Sequence, residues 1–229
     1  MFVPLHDDTP LRVIRFQFVT IAIIAANTII FLMTVAFEPA DMSLAVAAGY
    51  GLIPAELVGS TPGIPAWNAI PEPFTLVTYM FLHAGWMHLI SNMLFMWVFA
   101  DNIEDAFGPV AFLFLYILCG VAGGLTHALI SPDSQAPLIG ASGAVSGVIG
   151  AYLLLYPRAR VWVLLLMRLP LRIGAVWVLG GWFVFQLASL AMAPRSEVDV
   201  AWWAHIGGFV AGIGLTFLLR SRLLIRIGD

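Results

Sequence analysis

Six apolar runs, each broken off by a polar stretch, recur along the chain: residues 16–37, 86–100, 109–130, 142–156, 174–192 and 201–219. A helix rises 1.5 Å per residue and a bilayer's hydrocarbon core is about 30 Å thick, so each run is read as a membrane span. The first is longer than the roughly 7–15 apolar residues of a cleaved leader and is read as a span instead. The fourth holds about 15 residues, roughly 22 Å as helix, and falls short of the core. Arg158 and Arg160 anchor its C-terminal end, which leaves its first residue, Ser142, below the opposite surface. Residues 74–82 form an apolar lead-in to the second run.

The stretches between the runs predict connections. Residues 1–15 read as a short polar start. Residues 38–73 read as a long loop with six prolines and no Arg, whose apolar pieces at 44–53 and 64–67 lie along the membrane interface. Asp101, Glu104, Asp105 and Gly108 predict a tight acidic connection. Residues 157–173, with four arginines and Pro170, predict a connecting loop. The whole is expected to be a single membrane domain over residues 1–229, with its core at about 14–220 and the long loop 38–73 on the outside.

Composition agrees with an all-α membrane protein. Hydrophobic residues make up 61% and charged residues 10%, against about 45–50% and 25% in soluble domains. All ten basic residues are Arg. With six spans and the N-terminus inside, the inner segments carry two, zero, four and three arginines and the outer loops zero, zero and one. Such an asymmetry predicts cytoplasmic N- and C-termini. No basic patch suggests a nucleic-acid partner. The single cysteine, Cys119, lies inside an apolar run and is expected to be a buried small hydrophobe, without an intrachain disulfide.

This topology brings the second, fourth and sixth spans in from the same face. His88 and Asn92 lie in the first turns of the second span, Ser142 opens the fourth, and His205 lies about one turn into the sixth. Polar side chains at one depth within a membrane are costly, and a shared layer of them points to a functional site. A serine hydroxyl needs a base to take its proton, and His205 is the natural base. No Asp or Glu lies inside those three spans, so a Ser–His dyad is expected rather than a triad. His88 and Asn92, four apart, share a helix face, and both can donate hydrogen bonds to a developing oxyanion. Gly140 and Gly143 allow a backbone or a substrate to come close to Ser142. They also suit tight helix packing, together with Gly147. His83 is placed at a loop edge, where it orients the loop. His127 is read as structural and His6 as a solvated tail residue. No metal is expected: His83 and His88, five apart, should point to different helix faces, and no HExxH motif is present. No cofactor is implied.

Gly140-Ala141-Ser142-Gly143, Ala204-His205 followed by Gly208 and Gly212, and His83-x4-His88-x3-Asn92 together resemble the rhomboid intramembrane serine proteases. Glu104 with Gly108 fits that family's short inner connection. The likeness spans roughly residues 14–220 and is strongest with the bacterial six-span forms. It implies a six-transmembrane-helix rhomboid-like bundle in a bacterial inner membrane. It also implies cleavage of the transmembrane segments of other membrane proteins near the outer face. By matching positions, the resemblance makes Ser142 the nucleophile and His205 the general base, with Asn92 and His88 lining the oxyanion hole. Substrate is implied to pass the fifth helix, at 177–185, and the loop after it, at 193–199. Two departures stand out. The first outer loop has no Trp-Arg pair, and Ser146 stands where some members place an aromatic against the histidine.

Two other functions fit parts of the pattern. A non-catalytic relative would bind membrane proteins without cleaving them, but such relatives usually lack the serine or the histidine. A solute channel could use polar residues from several spans, although the halves of the chain show no clear repeat.

Overall fold

A computed structural model describes residues 2–36, 40–59, 69–165, 168–192 and 202–223. Helices stand at all six expected places. Helix α1 is Phe18–Phe31, followed by a π-helical turn at Leu32–Ala36. Then come α2 (Ala40–Tyr50), α3 (Pro54–Leu57) and α4 (Glu72–Thr78), with a 3-10 turn at Tyr79–Phe81. Helices α5 (Trp86–Phe107), α6 (Pro109–Ile130), α7 (Ser142–Leu155), α8 (Ala175–Met192) and α9 (Trp202–Leu219) complete the bundle. Among the described residues, three helices are long and apolar enough to cross a membrane, at Phe18–Val35, Pro109–Ile130 and Trp202–Arg222. The apolar helices at Ser142–Leu155 and Ala175–Ala188 are shorter. The apolar piece expected at 64–67 lies outside the described residues.

Two expectations are corrected. The acidic connection after residue 100 is the last two turns of α5, and the chain turns only at Gly108. Helix persists there because its carboxylates have partners. Buried Glu104 accepts hydrogen bonds from the Val19 and Thr20 amides (3.0 and 2.8 Å) and from the Thr20 hydroxyl (2.8 Å). It thus supplies negative charge to the start of α1, where Gln17 offers no side-chain cap. Asp105 accepts from the amides of Arg12, Val13 and Ile14 at 2.7–2.8 Å. Gly108, at φ 78°, makes the turn into α6 with Pro109 at its first position.

The second correction concerns the fold class, which is not purely α. The polar start and the expected 157–173 loop together form an antiparallel sheet of order β1-β2-β3, from Phe2–Asp7, Arg160–Leu165 and Leu169–Gly174. Phe2 pairs with Leu165 and Asp7 with Val161, across a bulge between Pro4 and His6. Strand β2 alternates, with Val161 and Val163 buried and Arg160 exposed. That period of two, with β-branched residues on the inner face, is the physical reason for a strand. The end of β1 is tied down further. Tyr152 of α7 donates a hydrogen bond to the Asp7 carboxylate, and Arg172 of β3 forms an ion pair with Asp8.

Helices α6, α7 and α9 pack together at the centre. The contact between α7 and α9 is made backbone to backbone. A Cβ on Gly208 would stand 1.9 Å from the Gly143 carbonyl oxygen, and one on Gly212 would stand 2.0 Å from that of Gly147. The stripe of small residues therefore sets the depth at which the N-terminal turns of α7 and α9 meet. Cys119 is buried as expected, against Gly147.

Candidate active site

Ser142 is the first residue of α7, and His205 stands one turn into α9. Their side chains meet: Ser142 Oγ lies 2.7 Å from His205 Nε2. The other ring nitrogen, Nδ1, lies 2.9 Å from Gln186 Oε1 on α8. Two indoles flank the imidazole. The Trp202 ring stands edge-on to it (6.0 Å, 88°), and the Trp182 ring is tilted against it (6.3 Å, 40°). Sequence reasoning singled out neither Gln186 nor Trp202. Their signal was available, since Gln186 is a lone amide within the fifth apolar run and Trp202 sits three residues before His205.

His88, Asn92, Ser142, Gln186 and His205 all line one cavity of about 440 Å³. Asn92 Nδ2 donates to the His88 carbonyl at 2.9 Å, which steadies the amide and leaves its second N–H free of that bond. The Ala84 amide points at His88 Nδ1 (3.4 Å). A backbone amide can only donate, so Nδ1 is the acceptor and Nε2 carries the proton of the neutral ring. That Nε2–H faces Gly140, where an added Cβ would stand 2.6 Å away. Gly140 sits at φ 125° and donates its amide to the Tyr79 carbonyl (2.9 Å). Both its conformation and its contact exclude a side chain. At Gly143 a Cβ would meet the Tyr79 hydroxyl at 3.0 Å. The segment before α7 is clamped by two hydrogen bonds between Leu52 and Leu138 (3.0 and 2.8 Å), and Leu138 and Ile139 roof the cavity.

His83 lies in the short loop just before α5, where it is buried, and neither ring nitrogen has a hydrogen-bond partner among the described residues. Its ring meets that of His88 edge to face, 4.9 Å between centroids. The two were expected to diverge by helical spacing, but His83 precedes α5, so that spacing does not apply. Ser146 turns away from the imidazole and donates to the Ser142 carbonyl (2.6 Å).

The family model for the rhomboid domain matches residues 71–222, about two thirds of the chain. The chain belongs to the rhomboid family. In this rhomboid chain the match takes in α4 to α9, and with them every residue lining the cavity, while β1 and α1–α3 precede it. Among similar proteins, RHOMBOID-like protein 2 of Arabidopsis thaliana is 33% identical over 151 residues, covering 66% of this chain and 44% of the relative. RHOMBOID-like protein 5 of the same plant is 30% identical over 151 residues, covering 66% and 45%. Rhomboid protein 1, mitochondrial, of Saccharomyces cerevisiae is 30% identical over 154 residues, covering 63% and 41%. The matched part thus spans less than half the length of these relatives.

Proposed function

We propose that this rhomboid chain is an intramembrane serine endopeptidase that cleaves transmembrane segments of other membrane proteins. The observation that carries this reading is the 2.7 Å contact between Ser142 Oγ and His205 Nε2, inside a cavity rather than at a solvated surface. In this mechanism His205 Nε2 takes the hydroxyl proton as Ser142 Oγ attacks the scissile carbonyl carbon. The carbonyl oxygen becomes an oxyanion, met by the free Asn92 N–H, by His88 Nε2–H and by the Ser142 amide at the start of α7. Such donors, fixed in advance, act where charge develops. His205 then returns the proton to the leaving amine, and water hydrolyses the acyl-enzyme through the same base. Gly140 makes room for the His88 ring beside Ser142, and Gly143 for the Tyr79 hydroxyl.

The chain is taken to form one domain whose six helices α1 and α5–α9 cross the bilayer, with both termini on the cytoplasmic face where the arginines gather. This puts the cavity beneath the outer surface. An apolar groove of about 620 Å³, bordered by Phe95 of α5 and by Trp177, Trp182 and Phe185 of α8, adjoins the cavity at Phe95, Trp182 and Gln186. That continuity supports substrate approach from the lipid past α8. The loop at 193–199, also implicated by resemblance, lies outside the described residues. The location proposed is a bacterial inner membrane, on the likeness to six-span bacterial forms. Subcellular fractionation separates it from the organellar membrane that a mitochondrial relative suggests.

The test uses purified protein in liposomes with a transmembrane substrate and a serine-directed fluorophosphonate. Wild-type protein is expected to cleave and to be labelled. Ser142→Ala should lose labelling and at least a thousandfold of the cleavage rate, on the order of what loss of a serine nucleophile costs elsewhere. Equal cleavage by Ser142→Ala overturns the reading.

A further inference from the structure

A neutral imidazole carries one N–H, and nothing intrinsic to the ring decides strongly which nitrogen holds it. Only the form protonated at Nδ1 leaves Nε2 free to accept the Ser142 hydroxyl proton. Something must therefore hold the proton on Nδ1. In soluble serine hydrolases a carboxylate does this. Within the second, fourth and sixth apolar runs no Asp or Glu is available. Here Gln186 Oε1 occupies the place, 2.9 Å from Nδ1. An amide oxygen can only accept, so the hydrogen of that bond belongs to Nδ1. Gln186 is itself buried, at 6% exposure, on the wall of the same cavity. Trp182, one turn before it on α8, and Trp202 on α9 restrict rotation of the ring.

We infer that Gln186 is a positioning residue that fixes His205 in the Nδ1–H form and so orients the Ser142–His205 pair. A neutral amide costs less to bury at membrane depth than a carboxylate would. It holds the ring and its proton without adding a charge beside the imidazole. The proton that moves in the reaction shuttles only between Ser142 Oγ, His205 Nε2 and the leaving nitrogen. The proton on Nδ1 stays where Gln186 holds it. A Gln serving only as packing would fill the same volume but would leave the tautomer free.

This inference rests on the catalytic reading, and two measurements keep the two apart. The first needs no turnover. Full-length protein carrying ¹⁵N-labelled histidine is compared with Gln186→Met, which matches the length without the acceptor, and with Gln186→Glu, which keeps an acceptor oxygen. The His205 resonances, assigned by their loss in His205→Ala, should report protonated Nδ1 in wild type and in Gln186→Glu. In Gln186→Met they should report mixed or reversed tautomers. The second is kinetic. For Gln186→Met, kcat should fall on the order of tenfold to a hundredfold, by analogy with the loss when a partner that orients a metal-bound histidine is removed. KM should stay within about twofold, and Gln186→Glu should recover most of the loss. An unchanged Nδ1–H signature with wild-type kcat in Gln186→Met overturns the inference, even where Ser142→Ala is inactive. Should Gln186→Met fail to fold, Gln186→Glu decides: a lost Nδ1–H signature in a folded, labelled protein overturns it equally. A wild-type protein whose cleavage survives Ser142→Ala sinks the catalytic reading instead, and leaves the tautomer result standing by itself.

Discussion

Gly140 has no side chain, and the edge of the His88 ring occupies the place where one would begin. A methyl group there would stand 2.6 Å from His88 Nε2 on a backbone already at φ 125°. His88 must then shift, and its N–H leaves the cavity. Gly140→Ala is expected to lower kcat about 10²–10³-fold, the usual loss for one oxyanion donor. Fluorophosphonate labelling should slow in parallel, while the helical circular-dichroism signal stays. At this scale the residues of the site were legible wherever a polar side chain interrupts an apolar run: His88, Asn92, Ser142 and His205 all meet in one cavity. Gln186 interrupts the fifth run in the same way. It went unread because a histidine's partner was sought among carboxylates, and the price of burying charge makes an amide the better occupant of that depth. The orientation of His83 was not legible, since helical spacing carries no information about a residue ahead of the helix.

Elements meet here through glycine. The small residues around Ser142 supported two readings, close packing and chemistry, and they serve both. Packing of Gly143 against Gly208 and of Gly147 against Gly212 brings the first turns of α7 and α9 to a common depth, and the site is one result. Gly208→Ala should therefore act on both properties. Its Cβ would overlap the Gly143 carbonyl, α7 and α9 would separate, and overpacking typically costs about 1–3 kcal/mol. The expected outcome is a lower midpoint of thermal unfolding together with loss of labelling at Ser142, because position 208 lies within one turn of His205 on α9. An unchanged labelling rate would mean that the helix spacing does not set the contact. Helix limits were legible where hydropathy changes with them, as for α6. They were misread at the end of α5, because hydropathy cannot register that Glu104 and Asp105 receive backbone N–H groups from residues 12–20.

Over the whole molecule, charge is handled at the two ends of the bundle. Where α3 and α4 meet, burial pushes the Glu72 carboxyl up to about 7, with a hydrogen bond to Glu56 and the charge of Glu56 adding to the shift. A carboxyl raised in the folded state favours folding while it is protonated. That contribution is full below its ordinary value of 4.5 and is lost as pH climbs through about 7. The unfolding midpoint in detergent should accordingly be higher at pH 5.5 than at pH 8.5, and Glu56→Gln should flatten the difference. A steeper dependence in that variant would rule out the pair as its source. At the opposite end the sheet was not legible as such. Strand β1 is far in sequence from β2 and β3, and residues 157–173, with four arginines of which Arg160 and Arg172 lie in the strands, and with Pro170 in β3, mimic a loop.

That sheet constrains how the chain is made. Strand β1 leaves the ribosome more than 150 residues ahead of its partner β2. At about 5–20 residues per second, it waits on the order of ten to thirty seconds. Meanwhile helices α1 to α7 are synthesised with β1 unpaired. The helices between β1 and β2 are thus made first, and β1 finds its neighbour only after α7 has been synthesised.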